Sequence, residues 1–423
     1  MPKLTDPAAG SDCLVREFVG TFGQFTGFTL PDAAEFVLQK RAEAFGLRSF
    51  KHLDQRAEFD ALTEQGLRKK QGAKWQRFGR DVLPCFVADM DFPLAAPIRE
   101  VLARQLEVGD FGYTRRLAER PLPEIYQAYA QRRFGWSVDP GSIVGLADIV
   151  QGIYLTAQLF AEPGEGILTL TPTYPPLWRA AEETGRRLLS CAMQRGPERY
   201  DIDFERLISL IDRDTRLLLL CNPHNPTGRA FTKGELEQLA DIVLEHDLTV
   251  LSDEIHADLV YSPYKHVPFG SLGPDVAART ITMTSATKSF NIAGLRFAIA
   301  VFGSAKLRAR FDSVPERIRG GLNSAGVTAT EVAWSECDDW LDALVGYLAD
   351  NRDFVYHEIT RRVPAISIRK PEATFLSWLD CGSLPINGSP YDHFLNTGKV
   401  ALSDGGQSLK PKKFQIMVDK SRI

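Results

Sequence analysis

Short apolar strands alternate with an amphipathic helix through the middle of the chain. TRLLLLC (215–221) is a continuous apolar run of strand length, and the chain breakers NPHNPTG follow it. FTKGELEQLADIVLEHD opens with a Thr-x-x-Glu capping box at Thr232 and Glu235, and its apolar residues recur at helical spacing. LTVLSDE and ARTITMTSATK are two further strands. Strands that are apolar on both faces and separated by helices predict an α/β fold with a mostly parallel, doubly wound sheet.

The flanking sequence adds elements of the same kinds. PLPEIYQAYAQRRFGW predicts a helix, and GILTLTP predicts a short strand. Residues 340–359 predict a long amphipathic helix, and ATFLSWLD (373–380) predicts a strand of a smaller α+β unit. Near the N-terminus, TLPDAAEFVLQKRAEAF has a helical pattern with a cap at Thr29, which suits a packing arm or a mobile extension equally well.

Composition excludes several classes of partner. The 423 residues carry a formal net charge of −4, whereas nucleic-acid and anionic-membrane surfaces need a strongly basic balance. We find no apolar run of about 18 residues and no secretory signal at the N-terminus. The six cysteines are scattered without CxxC spacing, and the histidines form no metal-binding pair. We therefore expect a cytoplasmic protein without a metal site, a nucleic-acid partner or a membrane partner.

Three polar residues follow successive predicted strands. Asn225 comes after LLLLC, Asp253 ends LTVLSD, and Lys288 follows TITMTS. In a parallel sheet, ligands bind at the carboxyl ends of the strands. The fold alone therefore predicts that an amide, a carboxylate and an amine meet at one edge.

These side chains suit pyridoxal 5'-phosphate (PLP). A neutral lysine amine forms a Schiff base with an aldehyde cofactor, and the ring nitrogen of PLP needs a carboxylate such as Asp253. Asn225 suits the phenolic oxygen of the cofactor. Each residue alone has a structural interpretation as a cap, a turn or a surface residue. The ordered set NPxNPTG, strand-end Asp and S-x-x-K favours the cofactor site.

The phosphate of such a cofactor needs its own ligands. Ser285 and Thr287 precede Lys288, and Arg296 follows it by eight positions. Two hydroxyls and a permanently charged guanidinium are suitable phosphate ligands.

Seven segments together resemble a known family. They are KWQRFGRDVLPCFVADMDFP (74–93), FGYT (111–114), TPTYPPL (171–177), CNPHNPTG (221–228), SDEIHADLVY (252–261), HVPFGSL (266–272) and SATKSFNIAGL (285–295). The chain resembles fold-type I PLP-dependent enzymes of the aminotransferase class I/II superfamily. Within them it is most similar to cysteine-S-conjugate (cystathionine) β-lyases of the PatB and MalY type. The resemblance implies a PLP-dependent transferase-like fold.

The resemblance also implies roles for individual residues. Lys288 would be the Schiff-base lysine, Asp253 the partner of the ring nitrogen, and Asn225 the contact to the 3-oxygen. Tyr174 would stack on the ring, with core packing as the alternative role. His256, one turn after Asp253, would orient that carboxyl or serve a structural role.

The same resemblance implies further phosphate ligands and a residue at a subunit interface. ADIVQGI (147–153) falls where the family has a strand-to-helix turn, so the backbone amides of Ile149 and Val150 are candidate phosphate ligands. The match is loose there because the family often has glycine at the position of Asp148. Tyr113 aligns with a tyrosine that reaches the phosphate of the neighbouring subunit, which implies a homodimer with a shared active site.

The implied reaction is β-elimination. An amino-acid substrate such as cystathionine or another cysteine S-conjugate would give a thiol, pyruvate and ammonia. Transamination of amino acids is the alternative, because the same groups serve both reactions. A catalytically impaired PLP-binding protein is a second alternative, since VALSDGGQ (400–407) is followed by SLKPKKFQIMVDKSRI without the family's carboxylate-binding F-x-R-x-N pattern. Arg422 is the one arginine in that tail.

Four segments make up the predicted organisation. Residues 1–57 form an N-terminal extension, and 95–320 form the large PLP-binding domain. Residues 58–94 and 321–423 form the small domain, with an atypical and shortened C-terminal end.

Overall fold

The computed structural model describes residues 50–408 and 415–419. The helix predicted over 29–45 and Arg422 lie outside the described residues. Within the described ranges, no helix is both long enough and apolar enough to cross a membrane.

Short strands, most of them buried, form the sheets. In chain order they are β1 Leu83–Pro84, β2 Ile143–Leu146, β3 Gly166–Thr171, β4 Arg187–Ala192, β5 Gln194–Arg195, β6 Tyr200–Asp201, β7 Thr215–Cys221, β8 Thr249–Asp253, β9 Thr280–Thr284, β10 Ala298–Phe302, β11 Ser367–Ile368, β12 Leu376–Asp380, β13 Val400–Ala401, β14 Ser403–Asp404 and β15 Gln415–Asp419.

Helices separate most of these strands. In chain order the α-helices are α1 Phe50–Asp60, α2 Glu64–Leu67, α3 Ala73–Gln76, α4 Ala96–Val108, α5 Leu122–Phe134, α6 Ile149–Phe160, α7 Pro175–Glu183, α8 Phe204–Leu210, α9 Lys233–Glu245, α10 Pro274–Ala277, α11 Ala286–Ser289, α12 Ala305–Asp312, α13 Glu316–Arg319, α14 Ser324–Glu336, α15 Asp338–Arg362 and α16 Pro390–Asn396. Short 3-10 helices lie at Leu117–Glu119, Pro140–Ser142, Phe269–Ser271, Ala293–Leu295 and Gly405–Ser408.

The main sheet has seven strands in the order β2-β10-β9-β8-β7-β3-β4. All neighbouring pairs from β9 to β4 are parallel, and β10 runs antiparallel to both of its neighbours. The mostly parallel, doubly wound sheet predicted from the sequence is confirmed.

Both faces of this sheet are covered by helices. Along β7, Leu217 and Leu219 pack into a core shared with α6 and α7, whereas Leu218 and Leu220 pack into a core shared with α9. Side chains of a strand point alternately to the two faces, so an unbroken apolar run is what a doubly covered strand needs.

A smaller antiparallel sheet has the order β11-β12-β15-β14. Strand β1, which precedes the strands of the large sheet in the chain, pairs with β13, which follows them. The two chain segments outside the large sheet are thus joined. Helix α14 packs against α4 and α5, and the long helix α15 extends from that core into the core of the smaller sheet. The domain boundaries at residues 57, 94 and 320 stay predictions.

The local predictions agree with the structure, with small differences at the ends. β7 has the predicted bounds, and the capping box is present, with Thr232 Oγ1 accepting from Glu235 N at 3.2 Å. The strand predicted from residue 373 begins only at Leu376, because Ala373 instead bridges to Val260 and Thr374 has a positive φ of 65°.

Candidate active site

The carboxyl ends of three adjacent strands bring the predicted residues together. In the sheet register, Cys221 at the end of β7 lies beside Asp253 of β8, and Asp253 lies beside Met283 of β9. Asn225 lies in the loop that follows β7, and Lys288 lies in α11 directly after β9. Adjacent strands are about 4.8 Å apart, so the three side chains start from neighbouring positions.

Lys288 lies in a short helix whose first turn is held by Ser285. Ser285 Oγ accepts from Thr287 N at 3.1 Å, and its hydroxyl lies 2.6 Å from the carbonyl oxygen of Phe297. Lys288 is partly exposed, and its Nζ donates to the carbonyl oxygen of Ala88. The hydroxyl groups of Ser285 and Thr287 also contact each other at 2.8 Å, so both are engaged within the turn.

Asp253 is a buried carboxyl with an unusual pKa. Its pKa is raised to about 7, chiefly by burial; the Ile255 amide and the Lys288 charge lower the pKa, and the neighbouring Glu254 raises it. Its Oδ1 accepts from Ile255 N at 3.2 Å, the only hydrogen bond to this carboxyl within residues 50–408. A buried acid of this kind is stabilised in its charged form when a cationic group is placed beside it.

His256 lies close to the lysine but does not contact the carboxyl. The ring is buried and 6.0 Å from the ring of Phe375, and among the described residues Nδ1 has no hydrogen-bond partner. Burial and the Lys288 charge lower its pKa to about 3, so the ring is neutral. The hydrogen bond to Asp253 comes from the Ile255 amide, and the role of His256, orienting or structural, stays a prediction.

The Asn225 loop is held by backbone and side-chain contacts. His224 N donates to the carbonyl oxygen of Arg229 at 2.7 Å, and Gly228 N donates to that of His224 at 2.8 Å. The side chain of Asn222 accepts from Phe231 N at 3.1 Å. Both Asn-Pro peptide bonds of the loop are cis.

Arg229 fixes this loop to the rest of the protein. Its side chain is 2% exposed and pairs with Glu372 at 2.9 Å and Glu235 at 2.7 Å. Glu372 also accepts from Ala230 N at 3.0 Å. Sequence reasoning missed this cluster, because Arg229 and Glu372 are 143 positions apart.

Tyr174 lies directly before α7, beside the end of the sheet. It is partly buried and packs against the core below β7 and β8. Burial and the charges of Asp253 and Asp148 raise the pKa of its phenol to about 12, so the hydroxyl keeps its proton.

The start of α6 offers free backbone amides. Asp148 caps the helix and accepts from Gln151 N at 2.8 Å, while within the described ranges Ile149 N and Val150 N have no acceptor. The guanidinium of Arg296 lies 3.7 Å from the Asp148 carboxylate and is largely exposed. Amides at a helix N-terminus beside an arginine suit a phosphate group.

Tyr113 is not part of this group of residues. Its side chain is fully exposed and belongs to a segment with three other exposed apolar residues, Leu106, Val108 and Phe111. Its role towards the phosphate of a neighbouring subunit stays a prediction.

The comparisons with known proteins agree with this architecture. Residues 87–418 match the family described as aminotransferase class I and II. The chain belongs to this family. As a member of the aminotransferase class I and II family, it is 36% identical over 343 residues to cystathionine beta-lyase PatB of Bacillus subtilis (strain 168), a match that covers 79% of this chain and 88% of that protein.

Two further relatives of this family member illustrate the similarity. Cystathionine beta-lyase of Corynebacterium glutamicum is 31% identical, with 80% of this chain and 89% of that protein covered. The crystal structure of cystalysin from Treponema denticola, which contains a pyridoxal 5'-phosphate cofactor, superposes with a TM-score of 0.79 at 29% identity. That match covers 84% of this chain and 92% of cystalysin.

The residues of this family member suit PLP on three observations. The unpaired amides of Ile149 and Val150 suit its phosphate, and the buried carboxyl of Asp253 suits a protonated ring nitrogen. The Lys288 amine lies close enough to Asp253 for its charge to lower the pKa of that carboxyl. Phosphate, ring nitrogen and aldehyde thus have complementary groups.

Proposed function

We propose that this protein is a PLP-dependent carbon–sulfur β-lyase. Its substrates are cystathionine or other cysteine S-conjugates, and its products are a thiol, pyruvate and ammonia. The observation that carries the proposal is the buried carboxyl of Asp253 beside the Lys288 amine at the carboxyl edge of the sheet. The similarity to PatB over most of both chains supports this substrate class.

Bound PLP supplies an aldehyde that links to amines and a ring that accepts the electron pair of the substrate Cα–H bond. Asp253 holds the proton at the ring nitrogen, because a buried carboxylate is stabilised by that positive charge. Asn225 donates to the 3-oxygen from the loop that Arg229 anchors. Tyr174 covers the face of the ring.

Phosphate binding is assigned to the start of α6 and to the turn before Lys288. The amides of Ile149 and Val150 donate to the phosphate, and Arg296 supplies positive charge. Ser285 and Thr287 complete the set as hydroxyl ligands from the turn that carries Lys288.

Lys288 carries the proton transfer. When its amine is free, Nζ would act as the base that removes the proton from the substrate Cα. Loss of that proton would allow a double bond to form between Cα and Cβ as the Cβ–S bond breaks and the thiolate leaves, and water would convert the resulting enamine to pyruvate and ammonia. His256, neutral and buried, lies beside the lysine without competing for that proton.

We also propose a homodimer with Tyr113 reaching the site of the neighbouring subunit. The exposed apolar side chains of Leu106, Val108, Phe111 and Tyr113 support an interface there. A cytoplasmic location is supported by the cysteines, since Cys85, Cys191, Cys221, Cys337 and Cys381 are all buried and free of disulfides.

The test is a substrate panel assayed for pyruvate with purified protein and added PLP. We expect pyruvate from cystathionine, and none above background from Lys288→Ala. Amine transfer to a keto acid without pyruvate release would replace the lyase by the aminotransferase. Bound cofactor with neither pyruvate release nor amine transfer would favour the catalytically impaired PLP-binding protein.

A further inference from the structure

The segment Ala88–Phe92, which we name the ADMDF loop, contacts Lys288 although it lies far from it in the sequence. The carbonyl oxygen of Ala88 accepts from Lys288 Nζ, across 200 positions of sequence. The carbonyl oxygen of Phe92 accepts from Asn291 Nδ2 at 2.6 Å. Both ends of this loop therefore contact the turn that carries Lys288.

The side chain of Lys74 contacts the same loop at Asp89 and Asp91. This lysine is 2% exposed, and its ammonium lies 2.9 Å from the Asp91 carboxylate and 2.6 Å from the carbonyl oxygen of Asp89. Trp75 Nε1 donates to the other carboxylate oxygen of Asp91 at 2.7 Å. A buried ion pair costs several kcal/mol of desolvation, which apolar side chains of similar volume would avoid.

The backbone at the start of the loop shows why an anchor is needed. Val87 has a φ of 59°, a left-handed conformation that is costly for a β-branched residue. Asp89 N closes the turn by donating to the carbonyl oxygen of Val87 at 2.9 Å. This turn directs the Ala88 carbonyl towards Lys288, and such a conformation persists only when surrounding contacts fix it.

We propose that Lys74 is a positioning residue for Lys288. The Lys74–Asp91 ion pair fixes the ADMDF loop so that the Ala88 carbonyl accepts a hydrogen bond from the Lys288 amine whenever that amine is not covalently bound. This contact holds the amine in one place for proton transfer. The inference rests on the proposed function, and it assigns a use to the 74–93 segment that the cofactor site leaves unexplained.

Loss of the anchor has a specific kinetic consequence. Proton transfer depends on placing the amine near the substrate Cα, and a misplacement of about 1 Å costs up to about 100-fold in rate. Substrate affinity depends on other groups. Lys74→Met therefore lowers kcat per bound cofactor about tenfold or more and leaves KM within about twofold.

A second readout does not need the cofactor. Cofactor-free protein is treated with a limiting amount of an acylating reagent, and the modification of Lys288 is followed by peptide mass spectrometry. In wild-type protein the amine donates to the Ala88 carbonyl, which restricts its reaction with the reagent. We expect Lys74→Met to raise the rate of Lys288 acylation about tenfold.

Arg362→Met is the matched control. Arg362 is also a buried cation, it pairs with Glu358, and it lies on α15 beside the core that contains Trp75. We expect it to lower stability without changing either the Lys288 acylation rate or kcat per bound cofactor. Trp75→Phe is the milder variant should Lys74→Met not fold, because it removes a single hydrogen bond to Asp91, and it shifts both readouts in the same direction.

An acylation rate of Lys288 equal to wild type in the folded variant would overturn the inference, as would a fall in cofactor content with unchanged kcat per bound cofactor. The same change in Arg362→Met would reduce Lys74 to a general stabilising role. Failure of the proposed function is a separate outcome. Wild-type protein that releases no pyruvate refutes the lyase, while the acylation rates still decide whether Lys74 positions Lys288.

Discussion

Replacing Asp253 by Asn tests the electrostatics of the site in cofactor-free protein. Burial raises the pKa of this carboxyl from 3.8 to about 7. Since the folded-state pKa lies above the unfolded one, the folded chain binds the proton more tightly. The stability that Asp253 contributes is therefore greatest below pH 3.8 and is lost as the pH rises towards 7.

The magnitude follows from the shift. A difference of about 3 units between the folded-state and unfolded-state pKa corresponds to about 4 kcal/mol of stability. About 2.5 kcal/mol of this is lost between pH 5 and pH 8. Asp253→Asn has no titrating carboxyl, so its stability lacks this component. The free energy of unfolding of wild type relative to Asp253→Asn should fall by about 2.5 kcal/mol from pH 5 to pH 8.

Urea denaturation of both cofactor-free proteins at the two pH values measures this difference. Asp212→Asn is the control, because hydrogen bonds from Arg187 and Thr215 lower the pKa of that exposed carboxyl to about 2. Both its folded and unfolded pKa values lie below the window, so its effect should be the same at pH 5 and pH 8. Parallel pH dependences for wild type and Asp253→Asn would refute the raised pKa.

Three further variants probe the surroundings of the site. Arg229→Met leaves the carboxylate of Glu372 buried without its ion-pair partner and should lower the free energy of unfolding by about 3–5 kcal/mol, measured by urea denaturation; a loss below about 1 kcal/mol would contradict this. Gly228→Ala should lower it by about 1–3 kcal/mol, since φ is 71° and an added Cβ would lie 2.5 Å from that of Pro371; wild-type stability would argue against this packing. Tyr174→Ala should weaken PLP binding about tenfold and Tyr174→Phe by less than about threefold, as measured by fluorescence titration. Equal losses of PLP affinity in Tyr174→Ala and Tyr174→Phe would assign the effect to the hydroxyl and not to stacking of the ring.

Much of the fold was predictable from the sequence because its signals are local. The apolar run of β7 and the capping box of α9 each need only neighbouring residues, and both are present at the predicted positions. The convergence of Asn225, Asp253 and Lys288 follows from strand order, since parallel strands end at one edge.

Contacts between distant segments were not predictable in this way. The Ala88 carbonyl carries no sequence signal, because every residue has the same backbone group, although the ADMDF segment around it is part of the family resemblance. His256 shows the same limit, since a spacing of one turn from Asp253 left an orienting and a structural role open, and the hydrogen bond to Asp253 comes from the backbone of Ile255. Side-chain direction after a strand end depends on the loop path, which spacing does not encode.

The central claim is that Lys288 binds PLP covalently opposite Asp253. Borohydride reduction of the protein loaded with PLP, followed by peptide mass mapping, tests it most directly. The account predicts a stable mass increment of the reduced cofactor on the peptide that contains Lys288, and none in Lys288→Ala. An increment on another lysine, or no increment at all, would contradict it.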